Sequence, residues 1–208
     1  MRKEIKFIYF DVGGVAVLDF SKTTKWQDMA NDLGVHNDRL NEFSKIYDEY
    51  KTQLHTGKIG LDVVQKRLTN DFALDLPSNY DMLTDFVTRF ERNTSLCEVV
   101  QKLYGSYRLG LLTNMYPGLL NCIKSHDLLP HVDWDIIIDS TEVGLEKPQE
   151  EIFVLSEQES KVRPENILFV DNLSENTTAA QKRGWNTFLY DPGNPVTSSR
   201  ELKEILNN

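Results

Sequence analysis

The sequence predicts an α/β protein: a parallel sheet covered by helices on both faces, interrupted after its first strand by an all-helical segment. Three observations carry this. From about residue 94 onward, short apolar runs rich in β-formers alternate with stretches of helical period, as in a parallel sheet covered on both faces. Residues 5–10, IKFIYF, read as one further buried strand ending at a glycine turn. Between about Phe20 and Asn93, apolar residues recur at helical spacing with no convincing strand.

Taken in order, Ile5–Phe10 is the first strand. The helical segment follows, with about four helices. Trp26, Met29, Ala30 and Leu33 share one helical face, as do Leu40, Phe43, Tyr47 and Tyr50, and then Leu83, Phe86, Val87 and Phe90. Breaks fall at Gly34, at Gly57–Gly60 and at Pro77-Ser78-Asn79. A helix near Ser95–Tyr104 precedes a strand at Arg108–Leu112. Another helix near Pro117–His126 precedes a strand at Asp135–Ile138. A helix is expected to start at Pro148, because proline's fixed φ suits a first-turn position. Ile167–Val170 is a buried strand. A helix from about Ser174 to Arg183 is ended by Gly184, Thr187–Tyr190 is the last strand, and a terminal helix follows.

The bulk properties narrow the function. The chain has 208 residues, 40% apolar and 26% charged, an ordinary globular composition. The net charge of −9 repels polyanions, so nucleic acid and anionic membrane are poor partners. A small anion remains admissible where local cations overcome that field. Two cysteines, Cys97 and Cys122, form no close-spaced pair. They fit neither a disulfide framework nor a zinc site, and read as small apolar fillers in a reducing cytoplasm. The apolar run at the N-terminus is too short for a signal peptide's core or a membrane span.

In parallel sheets, ligands bind outside the carboxyl ends of the strands. Just past the predicted strands stand Asp11-Val12-Gly13-Gly14, then Thr113-Asn114, then Gly144-Leu145-Glu146-Lys147-Pro148, then Asp171-Asn172. This set suits phosphoryl transfer. A carboxylate can attack phosphorus and form an acyl-phosphate. Lysine, hydroxyl and backbone N–H groups can hold the phosphoryl oxygens. An oxygen-ligated Mg²⁺ would screen the repulsion between anionic nucleophile and anionic substrate. Each motif alone has a plainer reading. Asp11 and Thr113-Asn114 suit turns, Lys147 suits a solvated surface, and Asp171-Asn172 suits a helix cap.

Together, FDVGGV around Asp11, LLTN at Thr113-Asn114, GLEKPQEEIF around Lys147 and ILFVDNLSEN around Asp171-Asn172 resemble the haloacid dehalogenase-like (HAD) hydrolase superfamily, subfamily I with a helical cap. HTGKIGLDVV, residues 55–64, is similar to a stretch common in such caps. The resemblance implies a Rossmann-like core at residues 1–18 and 94–208 and a helical cap at 19–93, with hinges near Val17–Phe20 and Arg92–Ser95. It implies Asp11 as nucleophile and Mg²⁺ ligand, and the carbonyl of Gly13 as a second ligand. Thr113 and Asn114 would bind the phosphoryl group, Lys147 would neutralise charge, and Asp171 and Asn172 would complete the metal site. The implied activity is Mg²⁺-dependent hydrolysis of a small, sugar-phosphate-like monoester by a monomer or homodimer.

Two positions depart from the family pattern. Gly13 stands where most phosphatases of the family carry the Asp that protonates the leaving oxygen, and losing a general acid–base costs ~10²–10⁴ in rate. Asn172 stands where a second acid is common, and a neutral amide weakens a Mg²⁺ site. These departures leave two alternatives open. One is a weakened or inactive binding protein. The other is a 2-haloacid dehalogenase, which needs no acid, although no arginine near the cap entrance is obvious as a halide cradle. His36, His55, His126 and His131 show no ligand spacing and read as structural or exposed.

Overall fold

The computed structural model describes residues 4–207. The first strand, β1 (Phe7–Phe10), is buried along its whole length. Its side chains alternate between two cores, as the two-residue period of a strand requires. Ile8 and Phe10 pack with Val100, Leu111, Val170 and Leu202 on one face. Phe7 and Tyr9 pack with Ile152, Phe153, Phe169 and Trp185 on the other. This two-sided burial explains why FIYF reads as continuously apolar instead of alternating.

After β1 the chain turns sharply. Gly14 N–H donates to the Val17 carbonyl at 2.8 Å and Val17 N–H to the Val12 carbonyl at 2.9 Å. A two-residue strand, β2 (Val17–Leu18), leads into four helices: α1 (Lys25–Asp32), α2 (Leu40–His55), α3 (Leu61–Phe72) and α4 (Met82–Thr88). Their boundaries follow the glycine and proline breaks. The apolar faces of all four meet in their own cluster, with Met29, Phe43, Leu54, Leu68 and Phe86 at its centre. The return strand, β3 (Glu91–Arg92), pairs antiparallel with β2. The sequence had pointed to no strand in this stretch. Two residues are too few to impose a period, and only pairing across the fold makes them a strand. Asn93 braces the same crossing. Its Nδ2 donates to the Val15 carbonyl at 2.7 Å and to Tyr190 Oη at 2.8 Å, and its Oδ1 caps the next helix through Leu96 N–H.

The rest alternates: α5 (Thr94–Leu103), β4 (Arg108–Thr113), α6 (Leu119–Ser125), β5 (Ile136–Asp139), α7 (Ser140–Val143), α8 (Glu150–Ser160), β6 (Ile167–Asp171), α9 (Ser174–Lys182), β7 (Asn186–Leu189) and α10 (Pro195–Asn207). The large sheet is wholly parallel, in the order β5-β4-β1-β6-β7. The chain builds outward from β1 on one side, then crosses to build outward on the other. The reversal puts a crevice at the carboxyl end of β1, between the ends of β4 and β6. Among the described residues, no helix is long and apolar enough to cross a membrane.

Two expectations are corrected. The helix expected at Pro148 begins at Glu150, with Gln149 at its N-cap. Pro148 lies in a loop after a cis peptide bond. The backbone of Lys147 is instead held by the side chain of Asn114, which takes its N–H at 2.8 Å and donates to its carbonyl at 2.9 Å. Local propensity cannot register such a distant partner. The short helix α7 was also unforeseen. Asp139 caps it, accepting from the Thr141 N–H and hydroxyl at 2.9 and 2.7 Å, and Gly144 closes it at φ +68°.

Candidate functional site

The four strand-end segments converge. Asp11 leaves β1 flanked by the ends of β4 and β6, and its N–H still donates to the Val170 carbonyl at 2.9 Å. Its Oδ1 accepts from Val12 N–H at 2.7 Å and lies 3.0 Å from Lys147 Nζ. The same ammonium reaches Asp171 Oδ2 at 2.7 Å and the Leu112 carbonyl at 2.9 Å. Lys147 has three N–H donors and three acceptors around it. It is almost fully buried, so the plain reading of a solvated surface lysine is set aside.

Electrostatics follow from this burial. Desolvation opposes the charge on Lys147, but Asp11 and Asp171 outweigh it and hold its pKa above the ordinary lysine value. Desolvation also pushes the Asp11 carboxyl up, against the pull of Lys147 and with the repulsion of Asp171. Two carboxylates thus share one cation in a dry setting. Thr113 ends β4 with no exposed surface, and its Oγ1 has no hydrogen-bond partner. A buried hydroxyl left unpaired costs about 1–3 kcal/mol, and an anion's oxygen at this spot would satisfy it.

The remaining expected residues divide. Asn114 lines the cleft, but its side-chain amide is occupied in holding the Lys147 backbone. Asp171 is wholly buried. Besides Lys147, it accepts from Leu173 N–H at 2.8 Å and from Asn176 Nδ2 at 3.1 Å. Neither it nor Asn172 is the N-cap of α9, a position held by Leu173. Asn172 faces the cleft, with its Nδ2 3.2 Å from Ser21 Oγ. Gly14 lies beneath it at φ +73°, where a β-carbon would come within 2.2 Å of the Asn172 amide nitrogen. Glycine is required there on both counts.

The cleft has a volume of about 330 Å³. Its lining includes Asp11, Gly13, Asn114, Lys147 and Asn172 but not Thr113 or Asp171, and adds Asp19, Lys51, His55, Tyr116 and Glu146 among others. His55 is buried, in keeping with the structural half of its reading, and it also lines the cleft. It is the last residue of α2, its Nδ1 lies 2.7 Å from Glu146 Oε2, and its ring stacks on Tyr116 at 5.6 Å. Burial lowers its pKa, against the attraction of Glu146. Screening histidines for metal spacing could not find it. The signal available was its place at the head of HTGKIG, beside a helix end. Asp19 follows β2, and burial raises its carboxyl pKa above the usual range. A larger groove of about 800 Å³ runs along α8 and α9 by Glu150, Lys182 and Arg183, and none of the strand-end carboxylates lines it.

No family model matches the chain. It is 28% identical to D-ribitol-5-phosphate phosphatase of Bacteroides thetaiotaomicron, over 98% of this chain and all of that one. A predicted HAD-like family hydrolase of Porphyromonas gingivalis superposes with a TM-score of 0.74 at 25% identity, covering 95% of this chain and 97% of the other. A HAD family enzyme of B. thetaiotaomicron, solved with magnesium and inorganic phosphate, superposes with a TM-score of 0.71 at 18% identity, covering 91% and 96%. In strand order, strand-end residues and full-length likeness, the chain is similar to haloacid dehalogenase-like hydrolases.

Proposed function

We propose that the protein is a Mg²⁺-dependent phosphatase that hydrolyses a small, sugar-phosphate-like monoester through an aspartyl-phosphate at Asp11. The observation that carries this reading is the single ammonium of Lys147 bridging Asp11 and Asp171 beside the unpartnered hydroxyl of Thr113. In this reading Val12 N–H and Lys147 orient Asp11 through Oδ1, and Oδ2 attacks phosphorus. Thr113 Oγ1 and Lys147 hold the phosphoryl oxygens, where fixed donors in a dry site stabilise developing charge far better than water does. Asn114 fixes the Lys147 loop. Residues 19–93 serve as a cap over the core formed by 1–18 and 94–208. The substrate class is that of the ribitol-phosphate relative, the negative surface disfavours nucleic acid, and the working form is a cytoplasmic monomer or homodimer.

The residues fit Mg²⁺. Among the described residues no three His, Cys, Asp or Glu side chains form a ligand set, and Mg²⁺ suits such a site because it keeps several waters and takes one or two carboxylates. Asp11, the Gly13 carbonyl and the Asn172 amide oxygen would hold it. Asp171 is already committed to Lys147, Leu173 and Asn176 and acts through them. When bound, the ion screens the repulsion between carboxylate and phosphate. The dehalogenase reading is the weaker one: among the described residues, the cleft lining includes no arginine to cradle a halide.

The test is phosphate release from dinitrophenyl phosphate with and without Mg²⁺. Release that needs both the metal and Asp11, and disappears in Asp11→Asn, is the expected result. Equal release by Asp11→Asn removes the nucleophile assignment. Tight Mg²⁺-dependent binding of beryllofluoride with no turnover would favour the binding protein.

A further inference from the structure

The family's usual acid is absent at Gly13, yet the space is not empty. A β-carbon on Gly13 would lie 2.6 Å from Asp19 Oδ2. In an aspartate, each carboxylate oxygen lies ~2.4 Å from its own β-carbon, from two ordinary bonds. The Asp19 oxygen therefore stands about as far from that position as the oxygen of an aspartate at residue 13 would. Nothing in the backbone excludes a side chain at Gly13, since its φ is not in the left-handed region. The position is filled by another residue's carboxylate.

The local chain path explains how. Gly13 bridges to Val17, so the tight turn brings the chain back alongside itself and returns Asp19 over Gly13. Ser21 N–H holds Asp19 Oδ1 at 2.8 Å. Asp19 and Asp11 line the same cleft.

Building on the phosphatase reading, we propose that Asp19 is the catalytic acid–base, supplied from the far side of the turn in place of a residue-13 carboxylate. As Asp11 Oδ2 bonds to phosphorus, the ester P–O bond breaks and its electron pair stays on the leaving oxygen, which takes the Asp19 proton and departs as the alcohol. Water then attacks the aspartyl-phosphate and gives a proton to Asp19. The P–O bond to Asp11 breaks, its electron pair returns to the carboxylate, and inorganic phosphate leaves. Asp19 ends as it began. It also sits at the crossing between β2 and the helical segment, so closing that segment positions the acid.

The experiment compares wild type, Asp11→Asn and the isosteric Asp19→Asn on dinitrophenyl phosphate, whose leaving group needs no proton. In Asp19→Asn, the first step survives and the second stalls. The expected result is a burst of dinitrophenolate, an intact-mass increase of one phosphoryl group per chain, and steady-state release lowered ~10²–10⁴-fold. The double variant Gly13→Asp/Asp19→Gly recovers release relative to Asp19→Gly alone. Wild-type turnover by Asp19→Asn, with no phosphoenzyme, overturns the assignment while leaving the Asp11 reading intact. If wild type and Asp11→Asn release phosphate equally, the phosphatase reading falls first and this assignment with it. Matching melting temperatures for wild type and Asp19→Asn exclude misfolding as the cause.

Discussion

On the sheet side of the cleft, Lys147 touches two carboxylates and a carbonyl, and its own backbone is clamped by Asn114. On the helical side, the polar contacts to the cleft come one residue at a time. His55 reaches Glu146 and stacks on Tyr116, and the Tyr47 and Tyr116 hydroxyls meet. The first side resembles a buried core built from charge, where removing one member strands the others. The second resembles an interface, where single contacts are modest and can open. In the proposed phosphatase, the charged floor would stay fixed while the helical wall yields to admit substrate.

The largest effect is expected at the floor. Lys147→Ala leaves Asp11 and Asp171 buried without their cation, and such losses cost about 3–5 kcal/mol. Urea unfolding should register it, along with the loss of phosphate release, and a cost below about 1 kcal/mol would show that the floor is not the buried charge core described. Gly110→Ala follows. A β-carbon there would meet Phe7 and Tyr9 at 2.8 Å and the Ile136 carbonyl at 2.9 Å, and overpacking of this kind costs about 1–3 kcal/mol. Its melting temperature should fall with the cleft chemistry unaltered.

The wall should respond less. In a double-mutant cycle of His55→Gln and Glu146→Gln, the coupling is expected to be about 0.5–1.5 kcal/mol, and a value near that of the floor would erase the contrast. The pH dependence has a definite sign. Burial depresses the His55 pKa, so its neutral form is favoured by folding. That contribution is present above the unfolded value, about 6.5, and is lost as pH falls toward the folded one. Wild type should lose more stability than His55→Gln between pH 7 and 5, measured by denaturant titration at each pH. The smallest effect belongs to the exposed pair Lys66–Asp62 at 3.1 Å. Truncating Lys66 should change stability by less than about 0.5 kcal/mol, and a larger change would argue that the helical side is more tightly coupled than its contacts indicate.

Legibility tracked the range of the interaction. The strand IKFIYF, the four helices and the strand-end residues Asp11, Thr113, Lys147 and Asp171 were readable because period and position are local properties. Pro148 misled because the loop before it is held by Asn114, which lies 33 residues from Lys147. The place of His55 in the cleft wall was not readable, because its partner Glu146 lies 91 residues on. Asn114 and Asp171 stand at the strand ends that the sequence indicates, and their side chains hold Lys147 in place, a use no motif displays.

By itself, the sequence determined which segments become strands and helices, and which polar residues end at one sheet edge. Hydrophobic period and turn chemistry act within a few residues, so one chain suffices to read them. Only the tertiary structure decided that Lys147 would be buried between two carboxylates, that Asn172 and not Asp171 would face the cleft, and that Asp19 would stand over Gly13. These depend on packing between segments far apart in the chain, where a difference of an ångström decides whether two groups touch.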